Sequence, residues 1–106
     1  MSFKAVKWAY EQHGMTPGQK SVLVAIAFHF NEDEHCAWPS YPKLAEETEL
    51  DRVTVWRAVH ALDKQLGLVV VESRRSDGRQ TSNQYWLPDY DPQSKPSRAT
   101  FTEAPT

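Results

Sequence analysis

The chain is short of the features that announce most chemistries. It has one cysteine, Cys36, so no disulfide can close within it, and a lone thiol is the ordinary pattern of a reducing compartment. Its four glycines, Gly14, Gly18, Gly67 and Gly78, stand apart from one another, which leaves no glycine-rich loop to cradle a nucleotide phosphate. No run approaches the about eighteen apolar residues of a membrane helix. The longest, Val22 to Phe30 interrupted only by His29, has the length of a core helix. The opening residues lack the apolar stretch and small-residue cleavage site of a secretory signal, so the expected location is the cytoplasm. With 106 residues there is room for one modest core and not for a two-domain enzyme.

Metal and catalytic patterns are missing too. His29, His35 and Cys36 have no Cys-x-x-Cys or His-x-x-x-His partner spacing, and Glu32, Asp33 and Glu34 lack the alternating series of a calcium loop, so they read as a solvated loop. His60 and Asp63 lie three apart on one helix, an ordinary surface spacing rather than an acid–base pair. No cofactor, no metal and no catalytic activity are expected.

What is there is ordinary folding material, 40% hydrophobic and 25% charged. The formal net charge of −2 argues against a nucleic-acid partner, but its distribution does not. Residues 1–51 hold four lysines against eight acids, whereas residues 52–80 hold six basic residues against three acids. The positive charge is gathered in one central segment.

Phe3, Val6, Trp8 and Tyr10 suggest a short helix over 3–12 with Ser2 as cap and Gly14 beyond it. Thr16 and Pro17 open a second, apolar nearly all round through Val22, Leu23, Ala25, Ile26, Ala27 and Phe30. Cys36, Ala37 and Trp38 suggest a very short strand. Ser40 caps a helix through Thr48 with Leu44 and Ala45 inward. Asp51 caps another, Arg52 to Leu66, in which Val55, Ala58, Val59, Leu62 and Leu66 recur at helical spacing before Gly67 stops it. Leu68–Val71 and Gln84–Leu87 read as strands, and the Asp77-Gly78 dipeptide between them is a strong hairpin turn with a basic tip. Trp8, Trp38, Tyr85 and Trp86 are expected in the core. The expected fold is mainly α with a small β-hairpin, an α+β domain over 1–87, with 88–106 a flexible tail or linker rich in Pro, Ser and Thr.

Two short helices joined by a tight turn and followed by a basic hairpin leave the second helix free to enter a DNA major groove. The residues that carry this pattern run from Trp38, Pro39 and Ser40 to Leu44 and Ala45, from Leu50 to Val59, and from Leu62 through Gly67, Leu68 and Val69. This stretch resembles the winged helix-turn-helix domains of phage and plasmid replication initiators and related bacterial regulators, over roughly half the chain. The resemblance implies sequence-specific binding of double-stranded DNA, in replication initiation or in transcriptional regulation alongside other proteins of those machineries. It also implies that the start of the preceding helix, at Ser40, Tyr41 and Lys43, touches phosphate. The family has a more basic stretch where this chain has Asp51 to Trp56.

Independently of the resemblance, burying Val55, Ala58, Val59 and Leu62 turns Arg52, Val53, Thr54, Trp56, Arg57 and His60 outward, with Lys64 one turn on. Arg52, Thr54 and Arg57 are the first candidates for base edges, and Val53 suits a thymine methyl. Trp56 suits a sugar-phosphate contact, or equally packing within the domain or against a second copy. In the wing, about 73–81, Arg74, Arg75 and Arg79 would reach flanking backbone or minor groove. The first helix carries enough aromatic surface to pair two copies. A rival reading has Trp56, Val53 and Tyr41 as a protein-binding patch on a domain that never touches DNA.

Overall fold

Each helix begins on a side chain that takes up an amide proton its first turn leaves free. Ser2 Oγ accepts from the Ala5 amide at 3.0 Å and starts α1, Phe3–Tyr10. Thr16 Oγ1 accepts from Gln19 while Gln19 Oε1 accepts from Thr16, both at 3.1 Å, a reciprocal box that starts α2, Pro17–Phe28. Ser40 Oγ accepts from Lys43 at 3.1 Å ahead of α3, Tyr41–Thr48, and Asp51 Oδ1 accepts from Thr54 at 2.7 Å ahead of α4, Arg52–Lys64. Thr16→Ala removes the hydroxyl that accepts from the Gln19 amide and is expected to cost about 1 kcal/mol, read from chemical denaturation. The computed structural model describes residues 1–76 and 79–96, with side chains described outside 74–82.

The helices end slightly earlier than their patterns suggest. The Lys20 ammonium donates to the carbonyls of Tyr10, at 2.6 Å, and Gln12, closing α1 before Gly14. Phe30 lies just past α2 rather than in it, yet is fully buried. Helix α4 stops at Lys64, and Gly67 at φ +68° turns the chain.

One core holds the elements together. Val22, Leu23 and Ile26 of α2 meet Leu44 of α3, Val55, Val59 and Leu62 of α4, and Val69, Tyr85 and Leu87 from the hairpin side, all fully buried. The inward face expected for α4 is the buried one, with one addition: Asp63, expected on the surface, is 1% exposed. It occupies the turn between Leu62 and the helix end, on the side that packs inward. Trp38 departs the other way. Expected in the core, it is 37% exposed, while its neighbours Ala37 and Pro39 are buried.

Strands β1, Val70–Ser76, and β2, Arg79–Trp86, pair antiparallel from Val70 opposite Trp86 to Ser76 opposite Arg79, with a register shift at Arg74/Arg75. The Asp77-Gly78 turn lies outside the described residues. The strand expected at 36–38 reduces to single bridges, Asn31 to Cys36 and Ala37 to Tyr85. The molecule is thus an α+β fold of four helices and a two-stranded hairpin among the described residues. None of these helices is long and apolar enough to cross a membrane.

Beyond Leu87, in the segment expected to be a flexible tail or linker, Tyr90, Asp91 and Ser94 pack back on the domain, while Pro92, Gln93, Lys95 and Pro96 are exposed. Tyr90 meets Trp8 and Phe30 with ring centroids 5.7 and 5.5 Å apart and donates its hydroxyl to Glu32, which also accepts from Ser2. Asp91 is buried and accepts from His35 Nδ1 at 2.7 Å, and Ser94 Oγ donates to the His35 carbonyl. Residues 97–106 lie outside the described residues.

Burial alone would raise the Asp91 carboxyl, but the His35 hydrogen bond, the Gln93 amide and the His35 charge outweigh it and hold it below the usual carboxylate range. A depressed acid supports the fold above its ordinary pKa and loses that contribution as pH falls through the depressed value. Acidification below about pH 4 is expected to accelerate amide exchange at Asp91 and Ser94, whose N–H groups bond within this segment. Asp91→Asn removes that pH dependence.

Candidate nucleic-acid interface

Helices α3 and α4 are joined by only three residues, Glu49, Leu50 and Asp51. Thr48 Oγ1 donates to the Leu44 carbonyl at 2.7 Å and the Glu49 amide to Ala45 at 2.9 Å, so α3 ends on its own carbonyls. Glu49 adopts φ +62°, the left-handed region, and swings the chain to Asp51. Leu50 packs on the core from this turn, and Asp51 starts α4 at once.

Because one face of α4 is buried, the other is presented as a strip. Arg52, Val53, Trp56 and Arg57 are exposed, Val53 by 58% and Trp56 by 48%, and Thr54 and His60 are half-buried on the same side. Among the described residues Arg52 engages no hydrogen-bond or ion-pair partner, whereas Arg57 is close enough to Asp51 to stabilise its carboxylate. The Asp51 carboxyl lies below the usual range, chiefly through the Thr54 amide, then the Thr54 hydroxyl.

Trp56 does not pack into the domain. Its indole stacks on the His60 ring with centroids 3.8 Å apart and planes at 29°, and His60 Nδ1 lies 3.0 Å from the Trp56 carbonyl oxygen. That coupling of residues four apart is the part of the site that residue types alone do not reveal, although the spacing permits it.

The α3 end of the site is more constrained. Ser40 Oγ is occupied as a cap. Lys43 Nζ lies 3.8 Å from Glu46 and 3.9 Å from Glu47, which offsets part of its charge. Tyr41 is half-buried against the core, and its hydroxyl pKa is raised by burial and then by the charge of Asp63. Of the arginines expected in a wing, the backbone of Arg74, Arg75 and Arg79 belongs to the hairpin, and their side chains lie outside the described residues.

The first helix offers a different surface. Phe3 and Tyr10, seven residues apart on one side of α1, are 75% and 62% exposed, while Trp8 is partly covered by Tyr90. An open cleft of about 590 Å³ includes Tyr10 in its lining, together with Val6, Val24, Phe28, Lys20 and Glu47. No known protein family, curated protein or solved structure matches the chain.

Proposed function

We propose that this chain is a winged helix-turn-helix domain that binds double-stranded DNA sequence-specifically, without catalysis, in replication initiation or transcriptional regulation. Helix α3, the three-residue turn and α4 serve as the helix-turn-helix, and the β1–β2 hairpin as the wing. The observation that carries the reading is the exposed strip on α4, where Arg52, Val53, Trp56 and Arg57 stand on a helix whose other face is locked into the core. A rigid element with exposed arginines in its first turns suits base edges in a major groove. Ser40, Tyr41 and Lys43 at the start of α3 border the phosphate backbone in this arrangement, Lys43 with its charge shared.

The test is enrichment from sheared genomic and plasmid DNA over the purified protein at near-physiological salt, followed by sequencing. Salt strips fragments held by charge alone, so retained sequences report base and shape recognition. Repeats clustered at one locus assign the domain to replication, and sites scattered upstream of genes to transcription. A protein that folds and enriches nothing is instead a protein-binding module, for which exposed Trp56 and Val53 are the contact surface.

Two copies pair through α1 in this reading. Phe3 and Tyr10, the exposed aromatic rings of α1, cover each other across the two-fold contact. The few aromatic rings involved amount to a small interface, below about 1,200 Å². Sedimentation is expected to give a weak dimer that Phe3→Ala with Tyr10→Ala renders monomeric. A strict monomer, free and on two-site DNA, removes the pairing.

A further inference from the structure

Two polar side chains on the outward strip of α4 have already given away their protons within the protein. Thr54 Oγ1 donates to Asp51 Oδ2 at 3.0 Å, and an ionised carboxylate can only accept. The Thr54 hydroxyl therefore keeps only lone pairs for an outside partner. His60 Nδ1 lies 3.0 Å from the Trp56 carbonyl oxygen, which also only accepts, so the ring proton is on Nδ1. In the neutral ring Nε2 is then an acceptor. Stacking on Trp56, with centroids 3.8 Å apart, restrains the ring a second time.

The strip is consequently mixed in polarity. Arg52 and Arg57 can only donate, which suits guanine O6 and N7, while His60 Nε2 and Thr54 Oγ1 accept. In the major groove the base-edge donors available to an acceptor are the exocyclic amines of adenine and cytosine. Resting on the DNA-binding reading above, we infer that His60 is a specificity-determining residue whose Nε2 accepts from the N6 amine of an adenine or the N4 amine of a cytosine in the target.

The experiment selects binding sites from randomised duplexes with wild type, His60→Ala and His60→Phe. The phenylalanine keeps a ring to stack on Trp56 but has no nitrogen. Wild type is expected to prefer one amine-bearing base at a single position by about tenfold, and both variants to lose that preference with the other positions intact. In synthetic sites, purine in place of adenine or 2-pyrimidinone in place of cytosine removes the amine. Whichever analogue weakens wild type about tenfold identifies the base, and neither weakens the variants. Identical motifs from all three proteins, or a preference retained by the phenylalanine variant, overturn the inference and leave DNA binding standing. So does a ring found protonated at Nε2 by ¹⁵N NMR. A folded wild type that selects no motif overturns both.

Discussion

Replacing Arg52 and Arg57 together by alanine is expected to weaken duplex binding at least about thirtyfold while leaving the melting temperature unchanged. Each bidentate arginine contact to a guanine contributes about 1–3 kcal/mol, and two contacts at the lower bound already amount to that loss. The fold is insulated because both residues are exposed and alanine is the best helix former. Removing two cations also flattens the dependence of affinity on salt, since fewer counterions are released on binding. Fluorescence anisotropy over a salt series reads both effects. Unaltered affinity in a correctly folded double variant would detach α4 from DNA and turn attention to Val53 and Trp56 as a protein contact.

The second large effect is expected at Phe30. This ring is fully buried just past the end of α2 and meets Tyr90 edge-on at 5.5 Å. Phe30→Ala leaves a ring-sized void, at a cost of about 3–5 kcal/mol. That is a large share of the roughly 5–15 kcal/mol available to a domain, and it corresponds to a melting point lowered by roughly 12 °C or more. Tyr90→Ala, which removes a half-buried cover rather than the core beneath it, is expected to lower it by a smaller step. A Phe30→Ala protein that melts within a few degrees of wild type would contradict the full burial of Phe30 beneath Tyr90.

The contrast between those two rings explains what could be read in the sequence. Helix starts were legible because capping is local: Ser2, Thr16, Ser40 and Asp51 each reach an amide three residues on. The same holds for the exposed strip of α4, which follows from the period of Val55, Ala58, Val59 and Leu62. Asp63 broke that reading because a buried acid has no apolar signature. The contacts of Tyr90 and Asp91 were not legible for a different reason. The prolines around them and Ser94 look like linker, and what anchors these two residues lies far away in sequence, His35 for Asp91 and Glu32 for Tyr90. The direction in which Thr54 and His60 offer their hydrogen-bonding atoms depends on where each proton goes, which only the folded helix fixes.

The bridge between Ala37 and Tyr85 also has a kinetic meaning. It joins residues on either side of both α3 and α4 through two backbone hydrogen bonds, at 2.9 and 2.8 Å. Closing so long a loop before those helices dock would cost entropy with little return, so this rung belongs to the late part of folding. Substitutions that weaken it should therefore hasten unfolding while leaving the folding rate nearly unchanged, and the inner strand of the hairpin becomes the place where the native state is kinetically held shut.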